Sequence, residues 1–262
     1  MHKILFFVNY RLRYKAFIFL TFKMINYFLQ LKNFDKNFRI FTPIFIILAK
    51  VFLFFALLAI SSSPDDYQQG NAVKIMYIHV PSAWMSLLIY CLMASFNIAG
   101  FVWKNRFFYV IARAVAEIGC VFTFITLVTG AIWGKPIWGA WWVWDARLTS
   151  MLILFFLYLG YLLLFDNIED KIKAEKISAI ISIVGFVNIP IIKFSVEYWN
   201  SLHQKASIIR SGGTAIHPSF LEPLLLMFGA YFCTFIFVSL IAVKNEIMKR
   251  KIQSLTLKNN NL

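Results

Sequence analysis

The sequence predicts an all-α integral membrane protein: six transmembrane helices in one bundle, both termini cytoplasmic, and a tryptophan-rich loop on the outer face. Three observations carry this. Of the 262 residues, 60% are hydrophobic and only 15% charged, too little polar surface to cover a water-soluble globule. Six stretches approach the roughly 20 apolar residues that cross the hydrocarbon. The net charge of +14 is spread unevenly over the intervening segments, which sets orientation and leaves nucleic acid a poor explanation for it.

Residues 1–40 form a basic N-terminal segment. Its first apolar patches are interrupted by Arg11, Arg13 and Lys15 and lack a small-residue cleavage site, so they do not read as a signal peptide; Met24 offers a second start codon. The membrane domain, residues 41–243, opens with span 1 (41–60), in which Lys50 has no evident partner and must snorkel or pack inside the bundle. Span 2 (82–103) has Trp84 and Trp103 at opposite ends, where interfacial anchors belong. Span 3 (107–132) carries Arg113 and Glu117, four apart and able to neutralise each other. Span 4 (148–165) follows the Trp-rich run. Span 5 (177–195) ends near Lys193 and Glu197, again four apart. After span 6 (221–243) comes a basic tail, residues 244–262, expected to fray from Arg250 onward.

An even number of spans puts both termini on one side. Most Lys and Arg lie before span 1, between spans 2 and 3, between 4 and 5, and after 6; the other loops hold only Lys74, Lys135, Arg147, Lys205 and Arg210. By the positive-inside rule the termini are cytoplasmic. His79, His203, His217 and the Trp-rich run then face the opposite compartment. Cys91, Cys120 and Cys233 lie inside apolar runs without C-x-x-C pairing, the pattern of small core residues.

Five of the eight tryptophans fall in the run from Trp133 to Thr149: Trp133, Trp138, Trp141, Trp142 and Trp144, interleaved with Gly134 and Gly139 and followed by Asp145 and Arg147. Belt anchoring does not require glycines between the rings; a platform for a large planar ligand does. Two further outer segments can converge on it. One holds Tyr67-Gln68-Gln69-Gly70-Asn71 and then His79 two residues before Pro81, which suits a helix's first turn. The other runs from Ser195 to Gln204, and a helix continued by two turns would put Trp199 and His203 on one face. Imidazoles from His79 and His203 on opposite sides of a flat ligand would satisfy bis-His ligation of a haem iron. Burying one Trp face is worth about 2–3 kcal/mol by area, so several rings can hold a porphyrin non-covalently. Arg147 and Lys135 can pair with ligand carboxylates, whereas Asp145 is suited to orienting Arg147 or an indole N–H. Against this stand solvated histidines, and a zinc site for which third and fourth ligands are missing at suitable spacing. His217, beside Pro218, is a weaker ligand candidate.

The run Trp133 to Thr149, with Phe122 to Gly130 before it, resembles the tryptophan-rich signature of haem-handling proteins of cytochrome c maturation. Asp66 to Asn71, Tyr77 to Pro81 and Ser195 to Gln204 narrow the resemblance to the CcmC family, over roughly residue 24 to the C-terminus. The resemblance implies a non-enzymatic assembly factor that binds haem b transiently, iron held by His79 and His203, and presents it to a CcmE-like haem chaperone. It implies partners resembling the CcmA and CcmB ABC subunits and a small CcmD-like helix, in a bacterial inner membrane or a mitochondrial inner membrane. The chain has neither a C-x-x-C-H attachment motif nor a phosphate-binding Gly-rich loop. The competing reading, a transmembrane haem transporter subunit of an ABC-type complex, predicts discontinuous helices and polar groups at mid-membrane; a third, a structural subunit with an aromatic anchor, predicts no haem binding.

Overall fold

A computed structural model describes residues 31–199, 201–203 and 213–260. The Met24 start, most of the 1–40 segment, and Asn200, Gln204, Lys205 and Arg210 lie outside the described residues. The chain divides into two compact units, Met1–Ile44 and Phe45–Leu262. The described part of the first is helical; the second carries the span-forming part of the first helix and every later element.

Seven α-helices are seen among the described residues: α1 (Leu31–Ser62), α2 (Met76–Trp103), α3 (Arg106–Trp138), α4 (Ala146–Asn167), α5 (Lys171–Gly185), α6 (Asn188–Tyr198) and α7 (Pro218–Asn260), with a 3-10 turn, Asn71–Ile75, leading into α2. Six segments are long and apolar enough to cross a membrane, α5 and α6 together forming one of them. This is a multi-pass helical membrane protein.

Short polar residues start the helices where the spans begin. Asn105 accepts from Phe107 N–H at the head of α3, Asp145 from Leu148 N–H at the head of α4, and Asp170 from Ile172 and Lys173 N–H at the head of α5. His217 does the same for α7, its Nδ1 accepting from Ser219 N–H at 3.3 Å. That gives this histidine a capping role.

Lipid tails are as apolar as the helix surfaces, so close packing around small residues holds such bundles together. The core is built from Met85, Ile89, Tyr90 and Met93 of α2, Ala112 and Ala116 of α3, Leu154, Tyr158 and Tyr161 of α4, Ala179 of α5 and Ile192 of α6. Gly119 leaves room for the Tyr158 ring and Gly185 for the Tyr90 hydroxyl and Leu157, positions that a Cβ would fill. On α7, Met227 and Ala230 pack with Ala56 of α1, and Gly229 receives the Phe52 ring.

Four departures from the sequence reading concern the site. Span 5 is two helices. At Phe186 and Val187 the backbone turns to i−3 hydrogen bonds, and Pro190, which has no N–H to give, falls in the first turn of α6. Span 3 runs on through Trp138, so the true loop shrinks to residues 139–145; Gly139, at φ +76°, ends α3 with its N–H on Lys135 O. Span 2 begins at Met76, which puts His79 inside the helix and Pro81 in its second turn. Beyond span 6, α7 continues to Asn260 instead of fraying at Arg250, because the Arg250 guanidinium is tied to Glu175 and Glu246.

That tie belongs to a charged cluster at the end of the bundle opposite the Trp-rich loop. Glu175, buried, accepts from Arg106 and Arg250; Arg113 bonds Glu117, as its spacing predicts, and also Asp166 at 2.6 Å. Lys193 and Glu197 form no ion pair among the described residues; the Lys193 ammonium lies 5.8 Å from the centre of the Phe194 ring. Lys50 is exposed on α1.

Candidate haem site at the tryptophan-rich end

The last turns of α3 are the scaffold of the site. His79, from the first turns of α2, crosses to α3, its ring 5.6 Å edge-on from Trp133. Gly130 makes the approach possible, since a Cβ there would sit 3.0 Å from His79 Cε1. The Nδ1 atom lies 3.1 Å from Thr126 O and 3.1 Å from Thr129 Oγ1. A carbonyl oxygen can only accept, and the Thr129 hydroxyl proton is already given to Ile125 O at 2.6 Å. Nδ1 therefore carries the proton, and the lone pair is on Nε2.

His203 reaches the same helix end from the chain beyond α6, its ring 4.9 Å edge-on from Trp138. The backbone is extended at Trp199, where α6 has ended; the two extra helical turns expected from sequence do not form. What holds His203 is Asp145, 8% exposed, whose Oδ2 faces His203 Nδ1 at 3.3 Å and accepts the Ser201 hydroxyl at 2.5 Å. Ser201 Oγ also accepts His203 N–H at 3.2 Å. A carboxylate acceptor again fixes the proton on Nδ1 and frees Nε2. Two histidines from separate segments thus share one tautomer, the one in which the second nitrogen can bind a metal. Each imidazole lies within electrostatic reach of the other, and of the Arg147 guanidinium.

Burial holds the His203 imidazole below its ordinary pKa of 6.5 and the Arg147 charge adds to this, while the Asp145 carboxylate opposes it. Asp145 itself sits below the usual carboxylate range: burial pushes it up, but the Leu148 N–H, the Ser201 hydroxyl and the His203 ring outweigh that. At neutral pH the pair is carboxylate and neutral imidazole, the states that ligation needs. The assignment of Asp145 to Arg147 or to an indole is corrected by these contacts.

The five tryptophans divide by environment. Trp133, Trp138 and Trp142 are half-buried, while Trp141 and Trp144 are 58% and 76% exposed. Trp133 donates its indole N–H to Gln69 Oε1 at 3.0 Å. Gln69 is held by a turn in which Asp66 Oδ1 accepts from Gln68 and Gln69 N–H and Gly70 takes φ +53°. Gly134 lets the Trp138 ring fold back, since a Cβ there would stand 2.9 Å from Trp138 Cε3. Trp142 and Trp144 meet edge to face at 5.5 Å. Lys135 donates to Gly139 O at 3.1 Å and lies 6.0 Å from the Trp141 ring centre.

Two groups are available to a ligand. The buried Trp142 Nε1 has no partner among the described residues, an orphan donor that an acceptor on a bound molecule would satisfy. Among the described residues Arg147 makes only long contacts, 3.4 Å to Ser195 Oγ and 3.5 Å to Lys193 O, which leave most of its donor fork uncommitted there. A planar molecule with a ligand-accepting metal and peripheral carboxylates matches this set. The sequence reading named both histidines, the tryptophans and Arg147; Thr126, Thr129, Gly130 and Ser201 lie in the motifs it quoted but received no individual role there, and the structure places them against the two histidines.

Comparison with known proteins shows the family. The family model described as CcmC, Heme exporter protein C, matches residues 24–258. A Heme exporter protein C of Bradyrhizobium diazoefficiens is 49% identical over 193 residues, 74% of this chain and 73% of that protein. One from Haemophilus influenzae is 44% identical over 209 residues, 79% and 85% of the two chains. A cytochrome c biosynthesis ccmC-like mitochondrial protein of Marchantia polymorpha is 50% identical over 175 residues, 67% and 74% of the two chains.

Proposed function

Since this chain belongs to the Heme exporter protein C family, we propose that it delivers haem for cytochrome c maturation, holding the iron between His79 and His203 and presenting the haem to a CcmE-like chaperone. The single observation that carries this is the shared tautomer: both imidazoles turn Nδ1 to acceptors and leave Nε2 free, beside Trp133 and Trp138 on one helix end. Haem supplies an iron with two open axial positions. This chain's residues do the rest. Trp133 and Trp138 brace the ligands, Trp142 Nε1 and Arg147 offer donors to peripheral carboxylates, and the exposed Trp141 and Trp144 form the surface that a partner meets. In this reading the covalent chemistry belongs to the chaperone.

The charge distribution supports a reading in which this end lies outside the cytoplasm of a bacterial inner membrane, or in the equivalent position in a mitochondrion, with ABC-type subunits resembling CcmA and CcmB and a CcmD-like helix as proposed partners. The break between α5 and α6 is a feature the transporter reading predicts. Fully buried Tyr90, Tyr158, Tyr161, Met85, Met93 and Leu154 fill the bundle around it, which favours presentation at one end over passage through the middle.

The test is chaperone capture. With haem present, the purified protein retains a CcmE-like chaperone, and Trp141→Ala with Trp144→Ala reduces retention at least tenfold while haem stays bound. Undiminished retention in the double variant would rule out these two rings as the presentation surface.

A further inference from the structure

The two histidines have unequal surroundings. His79 turns its Nδ1–H to neutral acceptors, Thr126 O and Thr129 Oγ1, each at 3.1 Å. His203 turns its Nδ1–H to the buried carboxylate of Asp145. That carboxylate is fixed from behind, because its Oδ1 caps α4 through Leu148 N–H at 2.7 Å, where the helix N-terminus favours negative charge. Ser201 shares Oδ2 with His203, its hydroxyl at 2.5 Å.

We propose that Asp145 is a positioning residue that makes the two axial ligands electronically unequal and biases the iron of bound haem towards the ferric state. The inference rests on the ligand assignment above and goes beyond it. A carboxylate on Nδ1–H draws the ring towards imidazolate and raises the donor strength of Nε2, an effect that a carbonyl or hydroxyl produces more weakly. Ferric haem carries one more positive charge than ferrous haem, so a stronger donor and a nearby buried anion favour it. His203 is the electron-rich ligand and His79 the neutral one. Ser201 moderates the effect, because its hydroxyl takes part of the acceptor capacity of Oδ2.

The experiment is a potentiometric titration of the haem-loaded, detergent-solubilised protein, dithionite supplying the electron, read by the absorption spectrum alongside ferric and ferrous haem affinities. Asp145→Asn keeps the α4 cap through its amide oxygen but turns an amide NH2 towards His203 Nδ1, so it removes the charge and the acceptor together. It is expected to weaken ferric haem binding by about 10- to 100-fold with a smaller loss for ferrous haem, and to move the midpoint of the haem that stays bound upward. Ser201→Ala frees Oδ2 for His203 and is expected to move the midpoint downward. Thr129→Val, which leaves Thr126 O in place, shifts it less than Asp145→Asn. Opposite signs for Asp145→Asn and Ser201→Ala are what a merely structural role cannot produce. An unchanged midpoint in Asp145→Asn, equal losses of ferric and ferrous affinity, or upward shifts in both variants would overturn the proposal while leaving the ligands standing. A parent protein without a bis-His spectrum would overturn the ligand assignment and this proposal together.

Discussion

At the scale of single residues, the site is a set of protons placed by acceptors. Thr126 O and Asp145 Oδ2 each demand a hydrogen from the ring they face, and that demand leaves Nε2 bare, the nitrogen proposed to bind iron. A prediction about pH follows from His203. Its folded-state pKa lies below the ordinary 6.5, chiefly through burial. In the folded site protons compete with iron for Nε2, and a lowered pKa confines that competition to pH below the ordinary value. Haem retention, followed by the absorption spectrum, should therefore be unchanged from pH 8 to about pH 6.5 and decline only below it. A decline that begins above pH 7 would show His203 titrating as an ordinary or raised histidine. The aromatic run was legible in the sequence because composition marks it, whereas the helix-edge positions expected for the histidines differ from the structure, where His79 lies inside α2 and His203 beyond the end of α6. The Asp145–His203 contact was not legible, because it joins residues 58 apart in sequence whose meeting depends on where α6 stops.

At the scale of elements, apolar length located the six spans, and the misplaced boundaries have separate causes. Gly134 and Pro136 both weaken a helix, yet α3 continues through both and ends at Gly139, where the left-handed backbone needs a glycine. Pro136 lies within three residues of the helix end, so the i−4 bond it forfeits belongs to the last turn. Conversely, the α5–α6 break had its signals, Gly185 and Pro190, inside a run that apolarity alone joined into one span. The tail beyond α7's apolar stretch stays helical because a charge waits for it. Glu175, buried between Arg106 and Arg250, couples α3, α5 and α7 at the end remote from the histidines. Removing a partner from a buried pair leaves uncompensated charge, at about 3–5 kcal/mol. The double variant Arg106→Ala with Arg250→Ala, which leaves the buried Glu175 carboxylate unpaired, should lower thermal stability by that amount in detergent while the haem spectrum of the surviving folded protein stays unchanged. A variant as stable as the parent would show the cluster to be ornamental.

At the scale of the whole molecule, the bundle separates two chemistries. One end gathers indoles, imidazoles and Asp145; the other gathers Arg106, Arg113, Asp166, Glu175 and Arg250 in ion pairs. From the excess of basic residues on the second side we propose that it is the cytoplasmic one. In a background lacking Cys91, Cys120 and Cys233, a cysteine at the fully exposed Tyr67 (91% accessible) should react with a membrane-impermeant thiol reagent from the extracytoplasmic side, and one at Leu255 only after permeabilisation. The reverse pattern would invert the molecule and separate the site from any partner outside the cytoplasm.

The claim on which these levels meet is that His79 and His203 grip one iron. The absorption spectrum of purified, haem-loaded protein measures it directly. The parent should show a low-spin, six-coordinate bis-His haem, and His79→Ala and His203→Ala should each abolish that signature, with free imidazole restoring it in either variant. A low-spin spectrum that survives either substitution without added imidazole would show that the two histidines do not share the iron.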